Sequence, residues 1–458
     1  MTSYSTMIKR FLGLFHLGAF TLLLPLTTMA EDWPVDSIRL RDAALNSSIG
    51  FGRLTEMCDR FGHRHAGSKS LEDAIDWIIV RLKQDGFTNV HGEEVPIQPW
   101  IRGEESCALV APVQRSLHVL GLGGSIGTGP SGITAECLVV RSFDELEQRK
   151  SEAHGKIVLF NEPFTSYGTT VAIRVQGAVV AAKAGAVASL IRSVGPISLQ
   201  TPHTGMMIYN ADVRKIPHAA LTVEDAELLQ RFQDRGEKVV VRLHMQAHQG
   251  PPIHSRNVIA ELVGREKPEE IVLISGHIDS WDVGQGAMDD GGGCLVMWEA
   301  ARLIQQLGLK PRRTLRLVLW TNEENGLDGA KSYLERHRSE LDRHVVALES
   351  DEGVFAPLGF NFTGSDAAMR MLQGAVPILK SLGAEKLDLG ARGSDVSQLL
   401  TEGVPIMDLQ TTNLKYFWYH HTAADTIDKL NEAEFRQCVA ATAVMVWGLA
   451  EMPKALPR

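Results

Sequence analysis

Ile271-Val-Leu-Ile-Ser-Gly-His277-Ile-Asp279-Ser-Trp281-Asp282-Val-Gly-Gln-Gly286-Ala-Met-Asp289-Asp290-Gly-Gly-Gly293 is the stretch from which the rest of the chain can be read. It opens on an uninterrupted apolar run, passes through a polar, glycine-rich segment, and leads into Leu295, Trp298, Ala301, Arg302 and Ile304, which recur at helical spacing. The spacing predicts strand, loop, helix. In open α/β sheets chemistry collects in loops beyond the carboxyl ends of parallel strands. One imidazole and four carboxylates crowd this loop, a costly arrangement unless a cation or solvent compensates it. The loop is therefore the first candidate for a metal site.

Working outward, residues 257–263 predict a further strand. Thr314-Leu-Arg-Leu-Val-Leu-Trp320 predicts another, ending in Thr321-Asn322-Glu323-Glu324 before a helix through Tyr333 and Leu334. Val345-Val-Ala-Leu348 predicts one more, running into Glu349-Ser-Asp351-Glu352. Alternating strands and helices imply an α/β fold, a mostly parallel mixed sheet with helices on both faces. Three times an apolar strand gives way to acidic residues, which places three clusters on one edge of the sheet. Tyr416-Phe-Trp-Tyr419-His420-His421-Thr-Ala-Ala-Asp425 adds a histidine pair in a loop.

The convergent candidates are His277, Asp289, Glu323, Glu324, Asp351 and His421. Imidazole and carboxylate together suit Zn²⁺, whereas Ca²⁺ prefers oxygen alone. Of two adjacent glutamates, one can ligate while its neighbour faces a bound water as base. No G-x-S-x-G elbow or Cys–His pairing competes. A two-metal hydrolytic centre fits these residues best; the rival is an acidic sheet edge balanced by solvent and counter-ions.

The 458 residues suffice for two domains or one with an insertion. A formal net charge of −9 argues against nucleic acid as a partner. Residues 1–30 predict a signal peptide: Lys9 and Arg10, the apolar run Phe11 to Leu26, then Thr28-Met29-Ala30 before Glu31. The expected product is secreted or periplasmic, with no membrane anchor after cleavage; an uncleaved anchor is the alternative. Cys58, Cys107, Cys137, Cys294 and Cys438 form no CxxC pair, so a thiolate zinc site is excluded, and an odd count leaves at least one thiol free.

Residues 31–65 predict a helical lead-in. Ser70-Leu-Glu-Asp73 suggests a capping box for a helix closed by Gly86, and Thr88 to Ile97 a strand. His65 is expected to pack or hydrogen-bond rather than catalyse. Texture changes across 112–248, an inserted block with its own strands (Lys156 to Phe160, Ala186 to Ile191) and helix (Val171 to Ala184). Its glycine run 121–127 does not keep G-x-G-x-x-G spacing. His203, His218, His244 and His248 show no ligand spacing and are expected at the surface. The domain that carries the acidic loops is thus expected over 31–111 and 249–458.

Gly276-His277-Ile-Asp279, Asp289-Asp290-Gly, Glu323-Glu324, Glu349-Ser-Asp351 and His421-Thr-Ala-Ala-Asp425-Thr426, in that order, resemble the M28 family of di-zinc exopeptidases. The resemblance covers nearly all of the chain beyond residue 30. It implies that one zinc takes His277 and Asp351, the other Glu324 and His421, and that Asp289 bridges them. It implies further that Asp279 orients His277, that Glu323 is the general base, that the block 112–248 is a protease-associated (PA) domain, and that the chain forms a homodimer. His420 and Asp290 are the neighbours most easily confused with ligands. Many aminopeptidases of the family carry Ser-Asp-His where this chain has Ser394-Asp395-Val396, which points away from a plain aminopeptidase toward the family's carboxypeptidases.

The reading is an exported metallo-exopeptidase with two Zn²⁺ that hydrolyses dipeptides or short peptides with free termini. A broader aminopeptidase is the alternative; a one-zinc glutaminyl cyclase and a non-catalytic peptide-binding protein are the others. Arginine offers planar, bidentate recognition of a substrate carboxylate, and Arg392, in the loop Gly390-Ala-Arg-Gly393, is the candidate donor.

Overall fold

The computed structural model describes residues 33–458; the leader expected at 1–30 lies outside them. Two eight-stranded sheets organise the chain. In the first, β1 (Thr88–Ile97), β2 (Ile253–Leu262), β3 (Lys267–His277), β4 (Arg313–Trp320), β5 (His344–Glu349), β6 (Pro357–Thr363), β7 (Lys386–Leu389) and β8 (Ile406–Thr411) lie in the order β1-β2-β4-β3-β5-β8-β6-β7. The four central strands β4, β3, β5 and β8 run parallel, and antiparallel pairings flank them.

Alternation along the central strands builds both faces of this sheet. Val272, Ile274, Leu315, Leu317, Leu319, Val346 and Leu348 point to one side. There they meet α1 (Asp36–Asn46), α2 (Ile49–Phe61), α3 (Lys69–Gln84), α4 (Gly292–Gln306) and α6 (Glu432–Glu451). Ile271, Leu273, Val318, Trp320 and Ala347 point to the other side, against α5 (Asp328–Arg336) and the short helix Val396–Leu400. A strand buried on both faces reads as a continuous apolar run for this reason. Parallel register sets His277 beside Trp320 and Ser275 beside Glu349, so β3, β4 and β5 end together and their acidic loops emerge side by side.

The second sheet is built from the inserted block. Its central strands Ile133–Val140, Ile157–Phe160, Ala188–Arg192 and His218–Leu221 are parallel. The boundary expected at residue 112 needs correction. Glu105–Ala111 already belongs to this sheet, paired antiparallel with Val240–Met245, because its alternating burial suits that edge. The chain enters and leaves the block through a two-residue ladder, Trp100–Ile101 against His248–Gln249.

Two further expectations change. The cap of α3 is Ser68, whose Oγ accepts from Leu71 N–H, whereas Ser70 turns its hydroxyl to the carbonyl of His63. His203 and His218 are not at the surface: both are buried, and burial lowers His203 to about 3 and His218 to about 4. His244 and His248 do face outward in part or in full. All five cysteines are buried free thiols. No helix among the described residues is long and apolar enough to cross a membrane.

Candidate metal centre

The loops after β3, β4 and β5 and the loop carrying His420–His421 close around a cleft of about 640 Å³. His277, Asp289, Glu323, Glu324, Asp351 and His421 all line it. Distances link five of them in a chain. His277 Nε2 lies 3.1 Å from Asp289 Oδ1 and 3.2 Å from Asp351 Oδ1. His421 Nε2 lies 3.3 Å from Asp289 Oδ2 and 3.0 Å from Glu324 Oε2. Asp289 thus stands between two imidazoles, each of which meets one further carboxylate.

These spacings suit a metal. Zinc bonds of about 2.0–2.1 Å in a tetrahedron set neighbouring donor atoms roughly 3.3 Å apart. Asp289 Oδ2 and Glu324 Oε1 are buried with no hydrogen-bond partner, an arrangement that water or a cation would satisfy. The donor set of neutral imidazole and carboxylate is the one zinc takes.

Charge tells the same story. Burial alone would raise Asp289, yet its contacts with His277 and His421 and the nearby His420 hold its carboxyl well below the usual range. Burial pulls His277 down, but Asp351 and Asp289 raise it well above its ordinary value; Glu324 and Asp289 do the same for His421. Glu323 is held well above the ordinary carboxylate range by burial, with Asp351 and Glu324 adding to it. Five carboxylates, Asp289, Glu323, Glu324, Asp351 and Glu352, face the cleft against two guanidiniums, Arg174 and Arg392. Such a site gains by binding cations.

The residues around this centre are held by backbone contacts. Asp290 turns away from the cleft, its Oδ2 accepting from His277 N–H at 3.1 Å and its Oδ1 from Gly293 N–H at 3.0 Å. Asp425 accepts from Met288 N–H at 2.8 Å and Asp289 N–H at 3.2 Å, so the aspartate four residues after His421 anchors the loop bearing Asp289. The carboxylate of Asp279 accepts from the N–H groups of Glu323 (3.1 Å) and Glu324 (3.3 Å). Its backbone carbonyl lies 3.1 Å from His277 Nδ1, while its carboxylate stands 3.9 Å away. Asp279 therefore joins two loops, and its hold on His277 passes mainly through its main chain.

His420 competes with His421 on proximity, since its Nε2 is 3.6 Å from Asp289 Oδ2. Only His421 reaches a second carboxylate at this centre. It has φ 59°, a left-handed conformation rare for a residue with Cβ. His420 stacks on the His421 ring at 3.5 Å between centroids and lies among Tyr167, Tyr416 and Phe417. Asp282, one of the four carboxylates crowding the central loop, is spent on a bidentate pair with Arg102 (2.7 and 2.5 Å). His65 lies outside the cleft with Nε2 3.0 Å from the carbonyl of Trp100.

One wall of the cleft comes from residues of the inserted block that local spacing does not single out. Ser166, Tyr167, Arg174 and Met206 of the inserted block line it. Thr204 N–H donates to the carbonyl of His421 at 3.0 Å, and Thr204 O lies 3.3 Å from His421 Nδ1. Nothing in local spacing signals a contact between residues more than two hundred positions apart.

Comparison with known proteins concerns the same residues. Residues 257–446 match the family described as Peptidase family M28. Carboxypeptidase Q of Mus musculus is 48% identical over 408 residues, 89% of this chain and 87% of that protein. Carboxypeptidase Q of Homo sapiens is 47% identical over 89% of this chain and 86% of its own length. The chain belongs to peptidase family M28. The crystal structure of an M28 peptidase precursor from Shewanella amazonensis SB2B superposes with a TM-score of 0.89 at 36% identity, covering 92% of this chain and 97% of that one. A zinc aminopeptidase from Bacillus subtilis, 20% identical, shares the fold with a TM-score of 0.68 over 89% of this chain and 96% of its own. This M28 chain is a metallopeptidase of the carboxypeptidase Q type.

Proposed function

We propose that this chain is an exported di-zinc exopeptidase that hydrolyses dipeptides or short peptides with free termini. The observation that carries the reading is Asp289 standing between His277 and His421, each paired with one more carboxylate at tetrahedral-edge spacing. His277 and Asp351 would hold one ion, Glu324 and His421 the other, with Asp289 shared. Zinc bound there supplies Lewis acidity and brings the pKa of a water to about 7.

The chain's own groups perform the rest. Glu323 lines the cleft beside Glu324, with its N–H fixed on Asp279. It takes a proton from the attacking water and returns it to the departing amine nitrogen. Asp279 keeps Glu323 and Glu324 at fixed spacing, so that one carboxylate is committed to ligation and the other stays free for proton transfer. The wall contributed by the inserted block, which we read as a PA domain, narrows the cleft and favours short substrates over folded chains.

Export rests on the charged and apolar pattern of residues 1–30, and N-terminal sequencing of the exported protein beginning at Glu31 would support it. The test of the activity is a dipeptide library on the zinc-loaded mature protein, each member supplied free, N-acetylated and C-amidated. The reading expects cleavage of free dipeptides and loss of rate on blocking a terminus. Equal rates on blocked and free forms, release of cyclised pyroglutamyl product, or binding without cleavage would overturn it.

A further inference from the structure

Four of the five cleft carboxylates have a task. Asp289, Asp351 and Glu324 each meet an imidazole within 3.3 Å, and Glu323 is the base assigned above. Glu352 is the fifth. It follows Asp351 in the loop after β5 and lines the same cleft. Among the described residues no hydrogen-bond donor reaches its carboxylate, and the cation in range is Arg392, whose Nη1 stands 4.0 Å from Oε1. That is too far for a hydrogen bond. The Arg392 side chain is 73% exposed against 24% for Glu352. An ion pair with one partner so fully solvated is worth little. Glu352 is a carboxylate drawn largely out of water without a donor, and such a group gains when a cation arrives with its own N–H bonds.

The position is built. Thr411, at the end of β8, donates from Oγ1 to the carbonyl of Glu352 at 2.9 Å. Gly353, the next residue, has φ 73°, and a Cβ there would meet the side chains of Phe355, Tyr416 and Met288 at 3.0 to 3.2 Å. The turn is therefore held by packing on one side and by a strand end on the other. Asp408 lies behind it and is satisfied: it accepts from Arg392 N–H at 2.5 Å and from Asn361 Nδ2 at 2.7 Å. Glu352 alone of the two keeps its acceptor capacity for something in the cleft.

Charge balance points the same way. Asp289, Glu323, Glu324 and Asp351 carry four negative charges, which two divalent ions would neutralise. Glu352 then remains as the cleft anion open to a substrate cation, on the side where His277 and Asp351 would hold their ion.

We propose that Glu352 binds the free α-ammonium of the substrate and makes the enzyme read the N-terminal end of a short peptide. It is a specificity-determining residue. The inference rests on the exopeptidase reading above and adds the group that recognises this end. An ammonium offers three N–H donors and a full charge to a carboxylate, whereas acylation leaves a single neutral N–H. Glu352 stands one residue from a candidate ligand, so the cation it meets lies close to the scissile bond. The α-ammonium of a dipeptide is there; a lysine ammonium stands four methylenes further off.

The test compares free dipeptides with des-amino analogues, in which hydrogen replaces the ammonium, on the zinc-loaded enzyme. Wild type is set against Glu352→Gln, Glu352→Asp and Arg392→Ala, with zinc per chain measured for each. The preference for the free form, as a ratio of kcat/KM, should fall at least about tenfold in Glu352→Gln, the weight of one charged hydrogen bond. KM should carry most of the change. Glu352→Asp keeps the charge and should retain part of the preference, and Arg392→Ala should raise it, because a competing cation is gone. Calorimetric binding of a non-hydrolysable dipeptide isostere, with and without its ammonium, gives the same comparison without turnover. An unchanged preference in Glu352→Gln, or an equal loss on both substrates, overturns the proposal. So does a fall seen only with lysyl or arginyl dipeptides, which would assign the charge to a side chain. If both Glu352 variants lose preference only as they lose zinc, Glu352 serves the ligand beside it and the proposal fails. A wild-type enzyme that binds the isostere but cleaves no short peptide would instead overturn the exopeptidase reading, and the calorimetric comparison then decides the role of Glu352.

Discussion

Glu323 and Glu324 are neighbours with different surroundings, and the difference can be measured. Glu324 Oε2 meets His421 at 3.0 Å, whereas Glu323 makes no such contact and faces the cleft. Glu323→Gln is nearly isosteric, so fold and metal should persist while turnover falls by roughly 10²–10⁴, with KM changing far less. Glu324→Gln should instead lose metal. Near-normal kcat in the first variant, or equal metal loss in both, would contradict the assignment. Asp425 offers a second check at this scale. It holds the N–H groups of Met288 and Asp289, so Asp425→Ala should weaken metal affinity by roughly 10–100-fold in chelator competition. Unchanged affinity would mean that the Asp289 loop holds itself. Most of these site residues were legible in the sequence because acidic residues follow apolar strands, and parallel register brings such ends together. Asp425 was legible only as a spacing after His421, because its partners are backbone groups with no sequence signature. Arg174 was not legible, since its place depends on how a separate sheet sits over the first.

At the level of elements, β1 runs from Thr88 to Ile97 as the residue pattern predicts, because apolar alternation and the bounding turn agree there. Where two signals compete, the tertiary one wins: Ser70 carries the capping pattern, but its hydroxyl serves His63 O and Ser68 caps α3. His218 falls within an apolar run, His-Ala-Ala-Leu, which becomes a buried parallel strand of the second sheet. The same logic gives Trp281 its role. It lies in the loop between β3 and α4, yet it is 2% exposed and packs into the core of the inserted block, where Gly123 leaves room for its ring. The central loop thus carries the candidate ligand Asp289 on one part and a docking side chain on another. Trp281→Ala should cost about 3–5 kcal/mol in denaturant unfolding, the usual loss for a buried tryptophan. A cost below about 1 kcal/mol would show that the block docks without it.

On the scale of the whole molecule, stability should fall on the acid side. His218 and His344 are buried, and burial holds each at about 4, below the unfolded value of 6.5. A group depressed in this way is neutral in the fold and protonated in the unfolded chain once pH drops below 6.5, so protons favour unfolding. Each histidine should remove about 3 kcal/mol of stability between pH 6.5 and 4. Calorimetry across that window should show a steadily falling Tm, and a flat profile would contradict the burial of these rings as neutral groups.

In the proposed function two divalent ions share Asp289 and the enzyme needs both. Elemental analysis of the purified mature protein, titrated with a chelator while dipeptide hydrolysis is followed, tests it most directly. Two zinc ions per chain are expected, with activity vanishing as they are removed, returning with added Zn²⁺, and Tm falling in parallel because the bound ions stabilise the fold. Full activity at one ion per chain, or in a preparation free of transition metal, would contradict it.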